Sequence, residues 1–247
     1  MNRRVLMMNR RGGAKINGLV ALLVIGFLIV LLMPVVQNSR GPHGPGNACM
    51  NNMSGLAAAS LSYQAQHQGR FPTCRVEIEG NKGSWVISLF AQIDRRDLEW
   101  KWRDGNPETP HLDLFVCPSD RPSGAEQTKP LLSYLCNTEV FRPDEALKLS
   151  EIRDGAQCTL LISEGLLDRA PPMRLYTMTE PKQIGFDSSG SMSDHLSSRH
   201  RGGVNAMFAD RHWKFLSYKI DDDVWRQLVN PQDSDDPEYE GLPDDFN

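Results

Sequence analysis

The residues of this 247-residue chain best suited to chemistry lie in its last third: Glu164, His200, Asp210 and His212. His200 and Asp210 fall on either side of 204–208, a stretch that reads as a strand, and Glu164 and His212 could come near them. Two carboxylates and two imidazoles could then hold a cation or a polar ligand. The plainer alternative is a hydrogen bond from His200 to Asp210 or to backbone that fixes a loop, with Gly202 and Gly203 permitting close backbone approach. Spacing alone fixes no ligand set, so the plainer alternative is the expectation, and no metal or cofactor is assigned.

Other reactive side chains are read in the same way. Ser188, Ser189, Ser191 and Ser193 lie close to His195 and His200, but no G-x-S-x-G elbow is present. The stretch around Gly190 therefore reads as a loop, and no enzymatic activity is expected. Cys49, Cys74, Cys117, Cys136 and Cys158 allow at most two disulfides and one free thiol. None forms a C-x-x-C pair and the histidines complete no zinc pattern, so a structural zinc site is not expected. A disulfide or a buried thiol is the expectation for Cys49. Trp85, Trp213 and Trp225 sit on apolar faces and are expected in the core, whereas Trp100 and Trp102 flank Lys101 and are candidates for exposed binding residues.

The element that would position all of this is residues 16–36. Positions 18–36 are 19 consecutive residues without a charge, of which 14 are Leu, Ile, Val or Phe. A helix of that length covers about 28 Å, near the thickness of a bilayer's hydrocarbon core. Arg3, Arg4, Arg10, Arg11 and Lys15 precede it without an acid, which places the N-terminus in the cytoplasm and the rest outside the cytoplasmic membrane. There, disulfides persist. The formal charge of −4 gives no surface for nucleic acid.

The sequence divides into a basic leader (1–15), a transmembrane helix (16–36), a Gly/Pro-rich linker (37–48), an extracytoplasmic domain (49–230) and an acidic, disordered tail (231–247). Within the domain, helical spacing predicts a helix over 49–68 and a shorter one over 83–93 capped by Ser84. Strands are expected near 76–79, 112–116, 133–136, 159–163 and 174–179. The runs 204–208 and 213–218 flank Ala209-Asp210-Arg211-His212 and predict a hairpin. Asp221, Asp222 and Asp223 cap a last helix. The fold class expected is α+β: an N-terminal transmembrane helix followed by an antiparallel sheet domain with short packed helices.

Residues 10–40 also resemble, without a gap, the leader and first helix of type IV pilins and type II secretion pseudopilins. The remainder resembles a pilin-like branch, the domain-of-unknown-function family 1559, whose signature is His, nine residues, then Asp-Gly. The blocks that carry this are Cys49-Met50-Asn51-Asn52-Met53 with Gly69-Arg70-Phe71-Pro72, then Phe115-Val116-Cys117-Pro118-Ser119-Asp120, then Ser133-Tyr134 and Asn137. Ile152-Arg153-Asp154-Gly155 with Glu164-Gly165, and His200-Arg201-Gly202-Gly203 with Asp210, complete the series. The resemblance implies leader cleavage between Gly12 and Gly13, with Asn17 where the family carries the glutamate that pairs with a neighbouring subunit. Asn17 can hydrogen-bond there but cannot neutralise a charge. Arg211 stands in the place of the motif's glycine, the residue most at ease at positive φ in a primed turn. The implied function is a non-enzymatic, membrane-anchored pilin-like or pseudopilin-like protein whose partners are the membrane and related subunits. The alternative is a permanently anchored ligand-binding domain that does not polymerise.

Overall fold

The computed structural model describes residues 45–120, 128–166 and 185–232, together with residue 20. Apart from residue 20, the expected transmembrane helix (16–36), together with the leader positions Gly12 and Gly13, the pairing position Asn17, the 174–179 strand and most of the acidic tail, lies outside them. Among the described residues no helix is long and apolar enough to cross a membrane. The expected fold class therefore needs correction: what the residues form is a mixed α+β fold without a spanning helix.

The first helix, α1, runs Pro45–Gln66. Its opening proline loses nothing there, because the first amides of a helix have no intrahelical acceptor. Cys49, Met53, Leu56 and Ala57 recur at helical spacing and are fully buried. The polar residues interleaved with them explain why this 22-residue helix lies on a sheet instead of in lipid.

A two-stranded ribbon follows, β1 (Arg75–Ile78) and β2 (Asn81–Ser84), then a 3-10 turn Trp85–Leu89. The Ser84 side chain makes no cap hydrogen bond. Helix α2 (Arg96–Arg103) then buries Leu98 and Trp102 and leaves Trp100 69 % exposed, so only Trp100 of the two candidates faces solvent. The expected strand at 112–116 is instead a 3-10 turn, Asp113–Phe115. Its carbonyls are claimed by Asn52 of α1, whose Nδ2 donates to Asp113 O at 2.9 Å and Val116 O at 3.1 Å. A ladder partner would need those same acceptors.

The main sheet has the order β5-β3-β4-β6-β7, built from β3 (Tyr134–Asn137), β4 (Leu160–Glu164), β5 (Gly185–Phe186), β6 (Gly203–Phe208) and β7 (Trp213–Ser217). It is mixed, not purely antiparallel, because β5 pairs parallel to β3. One face carries Tyr134, Cys136, Ile162 and Met207 into the core beneath α1. The other carries Leu135, Leu160, Val204, Ala206 and Phe208, covered by the four-residue helix α3 (Met192–His195) and by α4 (Asp222–Val229) through Trp225 and Leu228. Central strands buried on both faces read as near-continuous apolar runs, as Leu160–Ile162 of β4 and β6 apart from Asn205 do. Trp213, expected in the core, is 48 % exposed on the outer strand.

The β6–β7 hairpin forms where its alternation predicts, but not through a primed turn. Arg211 N donates to Phe208 O at 2.9 Å and Phe208 N to His212 O at 3.0 Å, with a single left-handed residue, Arg211, at φ 76°. That is the geometry of a longer loop closed by one αL position, which favours glycine.

Candidate functional site

Beneath the start of α1, the sheet presents a polar group that a hydrophobic layer should not contain. Glu164 ends β4, is 2 % exposed, and pairs in register with Tyr134 of β3. Ser163 pairs with Ala206, so the next step of the ladder sets Asn205 of β6 on the other side of Glu164. A carboxylate at this depth must be fully bonded. Oε2 accepts from Asn205 N at 2.8 Å and from Asn205 Nδ2 at 3.2 Å, and Oε1 accepts from His200 Nε2 at 3.0 Å. That last bond raises the pKa of the imidazole above its ordinary value, against the opposing effect of burial. Burial first, and the Glu164 charge second, push the Tyr134 phenol far up, so it stays a neutral donor, to Cys49 O at 3.3 Å.

His200 is held by the loop before β6. Ser198 Oγ accepts from His200 N at 2.9 Å and donates to Gly203 O at 2.7 Å, while Ser198 N donates to the Tyr218 hydroxyl at 2.8 Å. Gly202 sits at φ 89° and Gly203 passes so close to β7 that a Cβ there would lie 2.0 Å from Leu216 O. Both glycines of the motif are therefore required by the backbone that aims His200.

The sulfur atoms complete the site. Cys49 of α1 and Cys117 form a disulfide across 68 positions of sequence. Cys117 Sγ lies 3.4 Å from Glu164 Oε1 and 3.9 Å from His200 Nε2. As part of the disulfide this sulfur has no proton to donate, so both are contacts. One donor atom from each of Cys49, Cys117, Glu164 and His200 lies within 4.8 Å of the other three. Arg199 Nε donates to Asp120 Oδ1 at 3.1 Å, a second tie between the turn that follows Cys117 and the loop that carries His200.

Of the four residues grouped from sequence, the structure brings Glu164 and His200 together and leaves Asp210 and His212 as a separate pair. His212 Nδ1 is 2.6 Å from Asp210 Oδ1, in the hairpin loop. That loop docks on the opposite end of β4, with Ala209 N donating to Thr159 O and Asp210 N to Ala156 O. The bond expected from the His200 side chain to Asp210 or to backbone is made to Glu164 instead. Arg211 is exposed and supplies the left-handed position of the turn. Cys49, Cys117 and Asn205 were not anticipated as neighbours of the pair. Asn205 had a readable signal, a polar residue in an otherwise apolar strand.

The serine-rich segment forms no nucleophile and base pair with His195, whose Nε2 donates to Ser189 O at 2.6 Å. Ser191 Oγ donates to Asp194 Oδ2 at 2.9 Å and forms, with the Asp194 carboxylate, a cap on α3. A groove of about 350 Å³ lies elsewhere, lined by Tyr63, Ile78, Gln92, Trp102, Arg103 and Asp144 among others, and includes none of the four clustered residues. No protein-family model, curated protein or solved structure matches the chain.

Proposed function

We propose that this chain is a pilin-like, non-enzymatic structural protein of the bacterial cell envelope, with its sheet domain on the oxidising side of the cytoplasmic membrane. The observation that carries the reading is the cross-link between the first helix of the domain and the Cys117 turn. It secures α1 over the sheet and belongs to an oxidising compartment. The leader-like run before Gly13 and the ordered series of family-like blocks point the same way. A structural role also suits Glu164 and His200, which satisfy each other and Asn205 in a buried setting instead of presenting an open acid and base.

The test is the intact mass of the protein recovered from envelope fractions, with thiols blocked before and after reduction. The expected result is loss of residues 1–12 and two additional blocked cysteines after reduction. Recovery from the cytosol with every thiol reduced would overturn the proposal. An oxidised chain that keeps its leader would replace it with the permanently anchored binding domain.

A further inference from the structure

We propose that the reduced protein binds one Zn²⁺ through Cys49 Sγ, Cys117 Sγ, His200 Nε2 and Glu164 Oε1, so that this corner of the fold exists either as a disulfide or as a metal-bridged dithiol. The site draws only on these four side chains and is independent of the pilin-like reading.

Geometry is the first argument. Tetrahedral zinc, with Zn–S about 2.3 Å and Zn–N or Zn–O about 2.0–2.1 Å, separates neighbouring ligand atoms by roughly 3.3–3.8 Å. Three edges of such a tetrahedron already stand close to that, at 3.0 Å for His200 Nε2 to Glu164 Oε1, 3.4 Å for Cys117 Sγ to Glu164 Oε1 and 3.9 Å for Cys117 Sγ to His200 Nε2. The covalent bond alone holds the two sulfurs too near each other. Once it is broken they need to part by roughly 2 Å to reach a zinc-like spacing, a movement within reach of side-chain rotation.

The donor chemistry is the second argument. Two thiolates and an imidazole select a borderline-soft ion such as Zn²⁺ over Ca²⁺ or Mg²⁺, and a closed four-ligand set, here with three ligands buried and His200 partly so, is the structural type of zinc site. The support around it is already built. Asn205 holds Glu164 Oε2 with two donors and so turns Oε1 toward the sulfurs, as outer-shell partners of metal ligands do. The loop bonds of Ser198 fix the backbone of His200.

The chemistry balances with an external dithiol as reductant. It gives two electrons and two protons: the S–S bond breaks, two S–H bonds form, and the dithiol closes to its own disulfide. Zn²⁺ then displaces both thiol protons to solvent and sheds its bound waters, while His200 binds as the neutral imidazole with its proton on Nδ1: the Nε2 proton goes to solvent if the ring starts as imidazolium and is replaced by one on Nδ1, through solvent, if it starts neutral. Returning to the disulfide releases the ion and passes two electrons to an oxidised dithiol carrier.

The test uses the full chain, reduced with a phosphine under anaerobic conditions and titrated with Co²⁺ as a spectroscopic stand-in. One equivalent should bind, with thiolate-to-cobalt charge-transfer absorption and tetrahedral d–d bands, and Zn²⁺ should displace it. The disulfide form should take up none. A protein with Cys74, Cys136 and Cys158 all changed to Ser should keep the full signal, and Cys117→Ser should lose most of the charge-transfer band. Asn205→Ala should bind about 10- to 100-fold more weakly, the usual cost of an outer-shell change. Reduced protein that keeps its circular dichroism but gives no charge-transfer band overturns the proposal. So does a band that survives in Cys117→Ser, or one equally strong in the disulfide form.

Discussion

His200 Nε2 donates to Glu164 Oε1 at 3.0 Å, beside a sulfur of the Cys49–Cys117 disulfide, with the carboxylate side chain 2 % and the imidazole 13 % exposed. Breaking a buried pair costs far more than the pair contributes, because the survivor is left charged or unbonded. Glu164→Ala strands His200 and the Asn205 amide together and should destabilise the domain by roughly 3 kcal/mol or more. Urea denaturation of parent and variant, both oxidised, measures this. A cost below about 1 kcal/mol, that of one ordinary hydrogen bond, would mean that the carboxylate is not buried as described.

The same bond sets a pH dependence. A histidine whose folded pKa is raised contributes stability that is complete below its unfolded value, near 6.5, and is lost as pH climbs through the raised folded value. The oxidised protein should therefore weaken from mildly acidic to mildly alkaline pH. His200→Gln should remove that slope. An unchanged slope in the variant would assign the dependence to another group.

Thiol reactivity should separate the cysteines by depth. Burial raises the pKa of all three free thiols, but Cys74 and Cys136 are buried whereas Cys158 is half-exposed and open to a reagent. Since the thiolate is the reactive form, a disulfide reagent should modify Cys158 alone in the native protein and all three free cysteines after unfolding. Rapid modification of a second thiol in the native state would contradict the packing of Cys74 and Cys136.

Removing the cross-link should also be costly. A loop of 68 positions restricts the unfolded chain by an amount that loop-closure entropy places at roughly 4 kcal/mol. In metal-free buffer, reduction should lower the denaturation midpoint accordingly. Added Zn²⁺ should restore part of the loss if the reduced site is as proposed, whereas the two midpoints would coincide if the cysteines were not bonded.

Arg211 pays a conformational cost that glycine would not. A side chain in the left-handed region costs roughly 1–2 kcal/mol, partly offset by the greater flexibility of glycine when unfolded. Arg211→Gly should stabilise the domain by about 1 kcal/mol, seen as a higher denaturation midpoint. A lower midpoint would show that the arginine side chain makes a contact worth more than the strain.

How much of this was legible in the chain depends on range. The hairpin around Arg211 and the Asp221 cap, which accepts from Asp223 N at 2.8 Å, are local patterns, and both form where the residues indicate. Residues 112–116 have a strand's composition, yet Asn52, more than 60 positions away, takes their carbonyls and makes a turn of them. Trp213 looks like core by type and alternation, but its strand lies at the outer side of the sheet. For the site, Glu164 and His200 were visible as chemistry. Their pairing was not, because it closes over 36 positions through the β4–β6 register, and the wrong carboxylate, Asp210, stood nearer in sequence. The disulfide was one pairing among many, and no local pattern distinguishes it.

The order of residues along the chain gives the sulfur bridge a head start. Cys49 and Cys117 both emerge before Glu164, which follows Cys117 by 47 positions, and before His200, which follows it by 83. In a polypeptide delivered N-terminus first, the clasp can shut on a helix that has no sheet beneath it. The acid and the imidazole then arrive beside a bond already made, and slow an exchange that was freely reversible a moment before.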